Sequence, residues 1–323
     1  MSLAILGVDI AKHTFDVCLI TIAGQRRQHV FANTQTGMER LRTWLVQHGV
    51  AHAHVCLEAT GTYGDALATY LHDQGHLVSV VNPAAIKAFA ASRLSRTKTD
   101  RVDAALIAQF CRVQQPAQWV PRAPDVRELQ GLVRRLEGLT ELHVMERNRQ
   151  AAGSSSPTVT ASITALLAYL DAEIAHIEQC IQQHINQHAQ LHHQHRLLQS
   201  IPGIGAATAA LFLAEVNVQQ YANARQVAAF AGLVPSIRQS GSSVRGRTRL
   251  SKVGSPRLRR ALYFPAVTAL RCSPGMRQWA AGLRERGKCP MQIIGAAMRK
   301  LVHIMYGVLR SGRPFDPTLA HRA

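Results

Sequence analysis

From position 163 the apolar residues keep one spacing. Ile163, Leu167, Leu170, Ile174, Ile177 and Ile181 step by four and three, and His184, His188, Leu191, His195 and Leu198 continue the register. Five heptads of this kind dictate a long helix whose narrow stripe must be covered by another helix. The turn residues of AAGSSSPT at 151–158 let the stretch Leu129–Leu142 fold back onto it, and a second subunit is the other source of cover; both are expected to contribute. The seam histidines and the tract His192, His193, His195 belong to this helix surface, since no second cluster has the spacing of a zinc site.

Before residue 126 the pattern is shorter. Residues 3–31 read as two strands joined at Ala23-Gly24, HVFANT adds a third element, and an amphipathic helix follows from Gly37 to His48. AHVCLEA is a buried strand, Tyr63–Gln74 a helix, LVSVVNP a strand, and AAIKAFAAS and DRVDAALIAQFCRV two further helices. Three hairpin-like strands followed by strands alternating with helices give a mixed α/β sheet of the ribonuclease-H plan. Asp9 lies inside the apolar run LAILGVDIA where the first strand runs out, Glu58 closes the fourth, and Asp100 and Asp103, spaced i,i+3, share a helix face. Buried carboxylates cost several kcal/mol unless a cation compensates them, so four of them from three elements point to a site for Mg²⁺ or Mn²⁺. Two such ions roughly 4 Å apart can clamp both oxygens of a phosphodiester displacement.

Charge is distributed unevenly. Residues 1–120 carry 11 basic and 8 acidic side chains, 121–200 carry 7 and 8, and 201–323 carry 19 and 3, of which 16 of the basic residues are Arg. The planar guanidinium suits phosphate, so the last third is expected to meet a polyanion. No basic amphipathic helix with an aromatic face, no apolar stretch long enough to span a bilayer and no signal-peptide pattern is read, which places the chain in the cytoplasm, at the nucleoid, with no membrane partner. Cys18, Cys56, Cys111, Cys180, Cys272 and Cys289 form no C-x-x-C pair and read as buried free thiols.

The basic third holds two motifs. SIPGIGAATAAL at 200–211 has the pattern of a helix-hairpin-helix, in which Gly203 and Gly205 let backbone amides face a phosphate; the plainer reading is a Gly-capped turn between two helices. In VPSIRQSGSSVRGRTRLSKVGSPRLRRALY at 234–263, Ser240, Ser242 and Ser243 surround Gly241. Arg238, Arg245, Arg247, Arg249, Lys252 and Arg257 stand ready to neutralise phosphate there. A serine among cations is either a nucleophile or a hydrogen-bond donor to DNA oxygens in a flexible loop.

GVDIAK, LEATGTYG, KTDRVDA and the serine block occur together and in order, with the coiled coil and IPGIG between them. Over essentially its full length the chain resembles the DEDD transposases of insertion sequences, the RNA-guided bridge recombinases related to Piv-type DNA invertases. The resemblance implies a RuvC-like domain over 1–120 in which Asp9, Glu58, Asp100 and Asp103 hold Mg²⁺. It also implies a coiled-coil dimerisation region over 121–198, and over 199–323 a mainly helical transposase domain whose Ser240 attacks DNA. It further implies a covalent phosphoserine link, strand exchange without free hydrolysis, a structured non-coding guide RNA pairing with donor and target DNA, and active sites shared within a dimer or tetramer. Two other functions compete: a junction-resolving nuclease with the same carboxylates and an activated water, and a non-enzymatic protein that coats nucleic acid. The serine block argues against the former and the carboxylates against the latter.

Overall fold

In the computed structural model, which describes residues 3–59, 63–92, 100–236, 239–240, 244–245 and 249–317, the early alternation becomes strands with two distinct faces. Of residues 100, 101, 239, 240, 244 and 245 the backbone alone is described. The chain divides into two compact units, Met1–Pro121 and Arg122–Ala323.

In the first unit β1 (Ala4–Ile10), β2 (Thr14–Ile20) and β3 (Arg26–Ala32) form a meander. The sequence reading allowed two strands up to residue 31, whereas the chain already reverses at 11–13, where Ala11 N–H donates to the Thr14 carbonyl at 2.9 Å. Thr34 then caps α1 (Gln35–Gln47) by accepting the Gly37 N–H. There follow β4 (Ala53–Glu58), α2 (Asp65–Asp73), β5 (Leu77–Val81), α3 (Pro83–Ser92) and α4 (Asp100–Gln114). The strand order is β3-β2-β1-β4-β5, with β2 antiparallel to both neighbours and β4 and β5 parallel to β1.

Because side chains alternate along a strand, this register sorts the sheet into two layers. Leu6, Val8, Phe15, Val17, Leu19, Val55 and Leu57 pack with Leu41 and Leu45 of α1 and Leu67 and Leu71 of α2. Ile5, Cys18, Ile20 and Cys56 pack with Ala104, Ile107, Ala108 and Cys111 of α4. Each fully buried Leu or Ile contributes roughly 1.5–3 kcal/mol, so both layers are held firmly.

The second unit opens with α5 (Pro124–Ala152) and α6 (Pro157–Gln187), a hairpin turned by Gly153 in the left-handed region and capped by Ser156. The seam faces inward: Leu167, Leu170, Ile181 and Ile185 are buried. The register read as one helix is interrupted at His188, whose extended backbone (φ −112°, ψ 102°) separates α6 from α7 (Ala189–Gln199). The histidines find carbonyl partners along the way, His184 with Asp125 at 2.7 Å and His195 with Ala206 at 3.0 Å.

Beyond α8 (Ala206–Glu215) and α9 (Ala224–Phe230), β6 (Pro235–Ser236) pairs with β9 (Arg249–Leu250) and β7 (Gln239–Ser240) with β8 (Val244–Arg245). Then come α10 (Pro256–Ala261), α11 (Tyr263–Cys272), α12 (Pro274–Glu285) and α13 (Pro290–Ser311). One core joins Leu129, Val133, Ile181 and Leu198 to Phe212, Leu301 and Met305, so the segments 121–198 and 199–323 pack as one body. Cys18, Cys56 and Cys111 are buried as expected, while Cys272 and Cys289 are exposed.

Candidate active site

The acidic residues gather at one end of one face of the sheet. On β1 the face toward α4 carries Ile5, Gly7 and Asp9; on β2, Cys18 lies opposite Gly7 and Asp16 opposite Asp9. On β4, Cys56 pairs with Gly7, so Glu58, two residues on, shares that face and follows the last paired position, Val8–Leu57. Asp9, Asp16, Glu58 and Asp103 are all half-buried.

Gly7 decides where α4 lies. A Cβ there would stand 2.3 Å from the Ala104 carbonyl oxygen and 2.3 Å from the Ala108 nitrogen, so the helix backbone is seated directly on the strand. Further along, the Cys111 thiol reaches the carbonyl of His54 at the beginning of β4, at 3.9 Å. The helix therefore runs antiparallel to β1 and β4, and its first turn, with Asp100 and Asp103, lies toward the strand ends that carry Asp9 and Glu58. The Asp100 side chain is outside the described residues.

The donor set is all carboxylate oxygen, which fits a hard divalent cation. Like charges directly opposite on neighbouring strands, as Asp9 and Asp16 are, repel each other, and a cation between them relieves this. Among the described residues no three His, Cys, Asp or Glu side chains form a finished metal cluster. Asp16 was not among the sequence candidates. The signal available was its pairing with Asp9 across the reversal at 11–13.

The serine block folds as a ribbon: Ser240 pairs with Val244, and Gln239 with Arg245. The side chains of Ser240 and Arg245, and all of Arg238, Gly241, Ser242, Ser243 and Arg247, lie outside the described residues. Arg249 is exposed, and Lys252 is exposed with its backbone in the left-handed region (φ 57°). Lys252 is pinned there by its N–H to the Gly232 carbonyl and by Arg259, which donates to the Lys252 carbonyl at 3.2 Å.

Arg257 is engaged inside the unit, 3.3 Å from Glu137 and 4.0 Å from the buried Glu215, which Arg134 also approaches at 3.6 Å. Burial raises the Glu137 carboxyl above its ordinary range, and Arg257 draws it back down. The two glycines of IPGIG separate. Gly203 (φ +93°) has the Pro265 carbonyl oxygen of α11 2.6 Å from where a Cβ would be, so packing accounts for it; Gly205, the N-cap of α8, is exposed with open space beside it.

Residues 6–152 match a DEDD transposase domain of the IS110 type, and residues 195–280 a domain described as transposase of the IS116/IS110/IS902 family. Over 320 residues, 98% of either chain, the sequence is 35% identical to the "Pilin gene-inverting protein" of Moraxella bovis, and it is 35% identical to that of Moraxella lacunata as well. The chain belongs to the IS116/IS110/IS902 transposase family. It is also similar to a "Probable family 20 transposase" of Pseudomonas aeruginosa, 27% identical over 358 residues, 98% of this chain and 100% of that protein.

As a transposase of this family the chain acts on DNA, and the DEDD domain implies a divalent metal ion. One expectation needs correction. By length and composition α6 is apolar enough to cross a bilayer. Its buried positions, however, are the seam residues packed along α5.

Proposed function

We propose that this transposase inserts and excises a mobile DNA element by Mg²⁺-dependent strand exchange through a covalent phosphoserine intermediate, guided by a structured non-coding RNA. The observation that carries the metal-dependent part is the convergence of Asp9, Asp16, Glu58 and the first turn of α4 on one face at one end of the sheet. The strand order, with β2 alone running against the others, supports a RuvC-like, ribonuclease-H-type reading of residues 1–120. The apolar Val144, Met145, Leu166 and Tyr169, left exposed on the α5–α6 hairpin, support a dimerising role for 121–198, and the ribbon bearing Ser240 supports the catalytic role of 199–323.

Asp9, Glu58, Asp100 and Asp103 would hold the metal, with Asp16 at their side. When bound, a divalent cation polarises the scissile phosphate and stabilises the departing oxygen. The Ser240 hydroxyl attacks phosphorus; its proton is lost as the new P–O bond forms, and the sugar oxygen leaves and is protonated. The free hydroxyl of the exchanging strand then attacks the phosphoserine, restoring Ser240 and one phosphodiester, so bonds are conserved and no water is consumed. The exposed Arg249 and Lys252 bind and orient the DNA backbone.

The test is recombination by purified protein on donor and target DNA, with denaturing gels to reveal protein joined to DNA. Ser240→Ala and Asp9→Ala are each expected to abolish product and adduct while DNA binding survives. Strand cleavage retained in Ser240→Ala/Ser242→Ala/Ser243→Ala would replace this reading with a junction nuclease that uses an activated water. One discrete RNA from the flanking DNA, co-purifying through a high-salt wash, is expected; heterogeneous RNA alone removes the guided part.

A further inference from the structure

Nineteen basic residues follow position 200, and among the described ones, besides Arg225, Arg249, Lys252 and Arg313, the fold sets two groups apart. In the first, Arg257 and Arg260 meet Glu137, Glu215 and Glu141. Arg259 and Arg299 donate to the carbonyls of Ala231 and Leu233, Arg310 donates to Gln219, and Lys300 lies over Trp279. In the second, Arg271 at the end of α11, Arg277 and Arg284 on α12, and Arg286 and Lys288 in the turn to α13 are all exposed. None of these five makes an ion pair or side-chain hydrogen bond among the described residues, and Glu285 is the sole acid between 264 and 290.

The register of α12 fixes these cations outward. Met276 and Ala280 are buried and Trp279 is half-buried, while Arg277 and Arg284, two turns apart, share one exposed flank of the helix about 10 Å from one another along the axis. Interaction with the helix dipole accounts for cations at the C-terminal end, Arg284, Arg286 and Lys288. It does not account for Arg277, which sits near the N-terminal end of α12, where a cation opposes the dipole. Mutual repulsion within a Debye length and an unfavourable helix position call for an anion from outside the chain.

We propose that the stripe Arg271–Arg277–Arg284–Arg286–Lys288 is a docking face for the phosphate backbone of duplex DNA, additional to the serine ribbon. Duplex DNA is favoured because the family acts on DNA, and because two arginines whose Cα atoms one helix sets about 10 Å apart along its axis can reach phosphates on both rims of a major groove about 12 Å wide. The contacts are to phosphate and are independent of sequence. The inference does not depend on Ser240 or the carboxylates, so either can fail without the other.

The experiment compares full-length wild type with Arg277→Gln/Arg284→Gln/Lys288→Gln. Its control, Arg27→Gln/Arg40→Gln/Arg42→Gln, removes the same charge from exposed positions of the first unit. Binding of a short duplex of arbitrary sequence is followed by fluorescence anisotropy between about 50 and 200 mM salt, after thermal melts establish that all three are folded. The stripe variant is expected to lower the slope of log K against log salt by about 2 to 3, at roughly 0.9 per lost phosphate contact, while the control keeps the wild-type slope. An unchanged slope in the stripe variant, an equal loss in the control, or a loss confined to an RNA duplex of the same length overturns the proposal.

Discussion

Gly7→Ala tests the seating of α4 more directly than any change to a carboxylate. An alanine Cβ would lie 2.3 Å from the Ala104 oxygen, 2.3 Å from the Ala108 nitrogen and 2.7 Å from the Ala108 Cα, against 3.4 Å at which ordinary contact begins. All three are backbone atoms, so no side chain can swing away and the helix must retreat by about 1.1 Å. Overpacking of this kind costs about 1–3 kcal/mol. Local propensity predicts the opposite sign, since replacing a mid-strand glycine gains about 0.5–1 kcal/mol. The two arguments therefore separate in a urea titration. We expect a lower midpoint for Gly7→Ala, and recombination reduced on the order of 10²-fold, because Asp103 moves with the helix and a 1 Å misplacement costs about that much. A variant at least as stable as wild type, with full activity, would refute the seating of α4 on Gly7 and with it the orientation of the first turn toward Asp9 and Glu58.

Other outcomes follow from the same geometry. Asp16→Asn is expected to raise the Mg²⁺ concentration needed for half-maximal recombination by about 10-fold or more, read from a metal titration of activity, as loss of a supporting group does. Gly203→Ala, with φ +93° and a carbonyl 2.6 Å from the new Cβ, should lower the stability of the second unit by about 1–3 kcal/mol, whereas Gly205→Ala should change it by less than about 1 kcal/mol; chemical denaturation distinguishes them. Glu215→Gln removes the buried acid shared by Arg134 and Arg257 and, since both guanidiniums retain solvent, should cost about 1–2 kcal/mol in the same assay. Burial lowers the pKa of His76, whose Nδ1 accepts the Ala53 N–H at 3.1 Å and must therefore be unprotonated, and His52 adds to the effect. A lowered histidine pKa contributes stability that is fully present above the unfolded value near 6.5 and is lost progressively as pH falls from there toward the lower folded value, so the denaturation midpoint should be lower at about pH 5.5 than at about pH 7.5.

Much of this arrangement was legible because it follows from periodicity. Asp9, the penultimate residue of β1, and Glu58, the last of β4, sit where their strands run out as the apolar runs implied, and no seam position from Ile163 to Leu198 is exposed. The reversal at 11–13 escaped notice because Ala-Lys-His lacks the glycine, proline or asparagine that usually marks a turn. Asp16 escaped with it, since its importance comes from a cross-strand partner. The break at His188 is invisible to a heptad count, because the residues on either side keep the register while the backbone departs from it. The cations of the last third were counted together, yet Arg260 finds its acid, Glu141, 119 residues upstream, a pairing that composition cannot reveal.

The sorting of β1 into alternate faces also limits how relatives of this chain can diverge. Within Ile5–Asp9 a single inserted or deleted residue would turn Asp9 from the α4 side to the α1 side and push Val8 into its place, exchanging chemistry for core in one step. Length variation is thus confined to joints such as residues 21–25, which pass between β2 and β3 away from the paired positions of Asp9 and Asp16. Along the strand itself, inheritance must preserve spacing before it preserves identity.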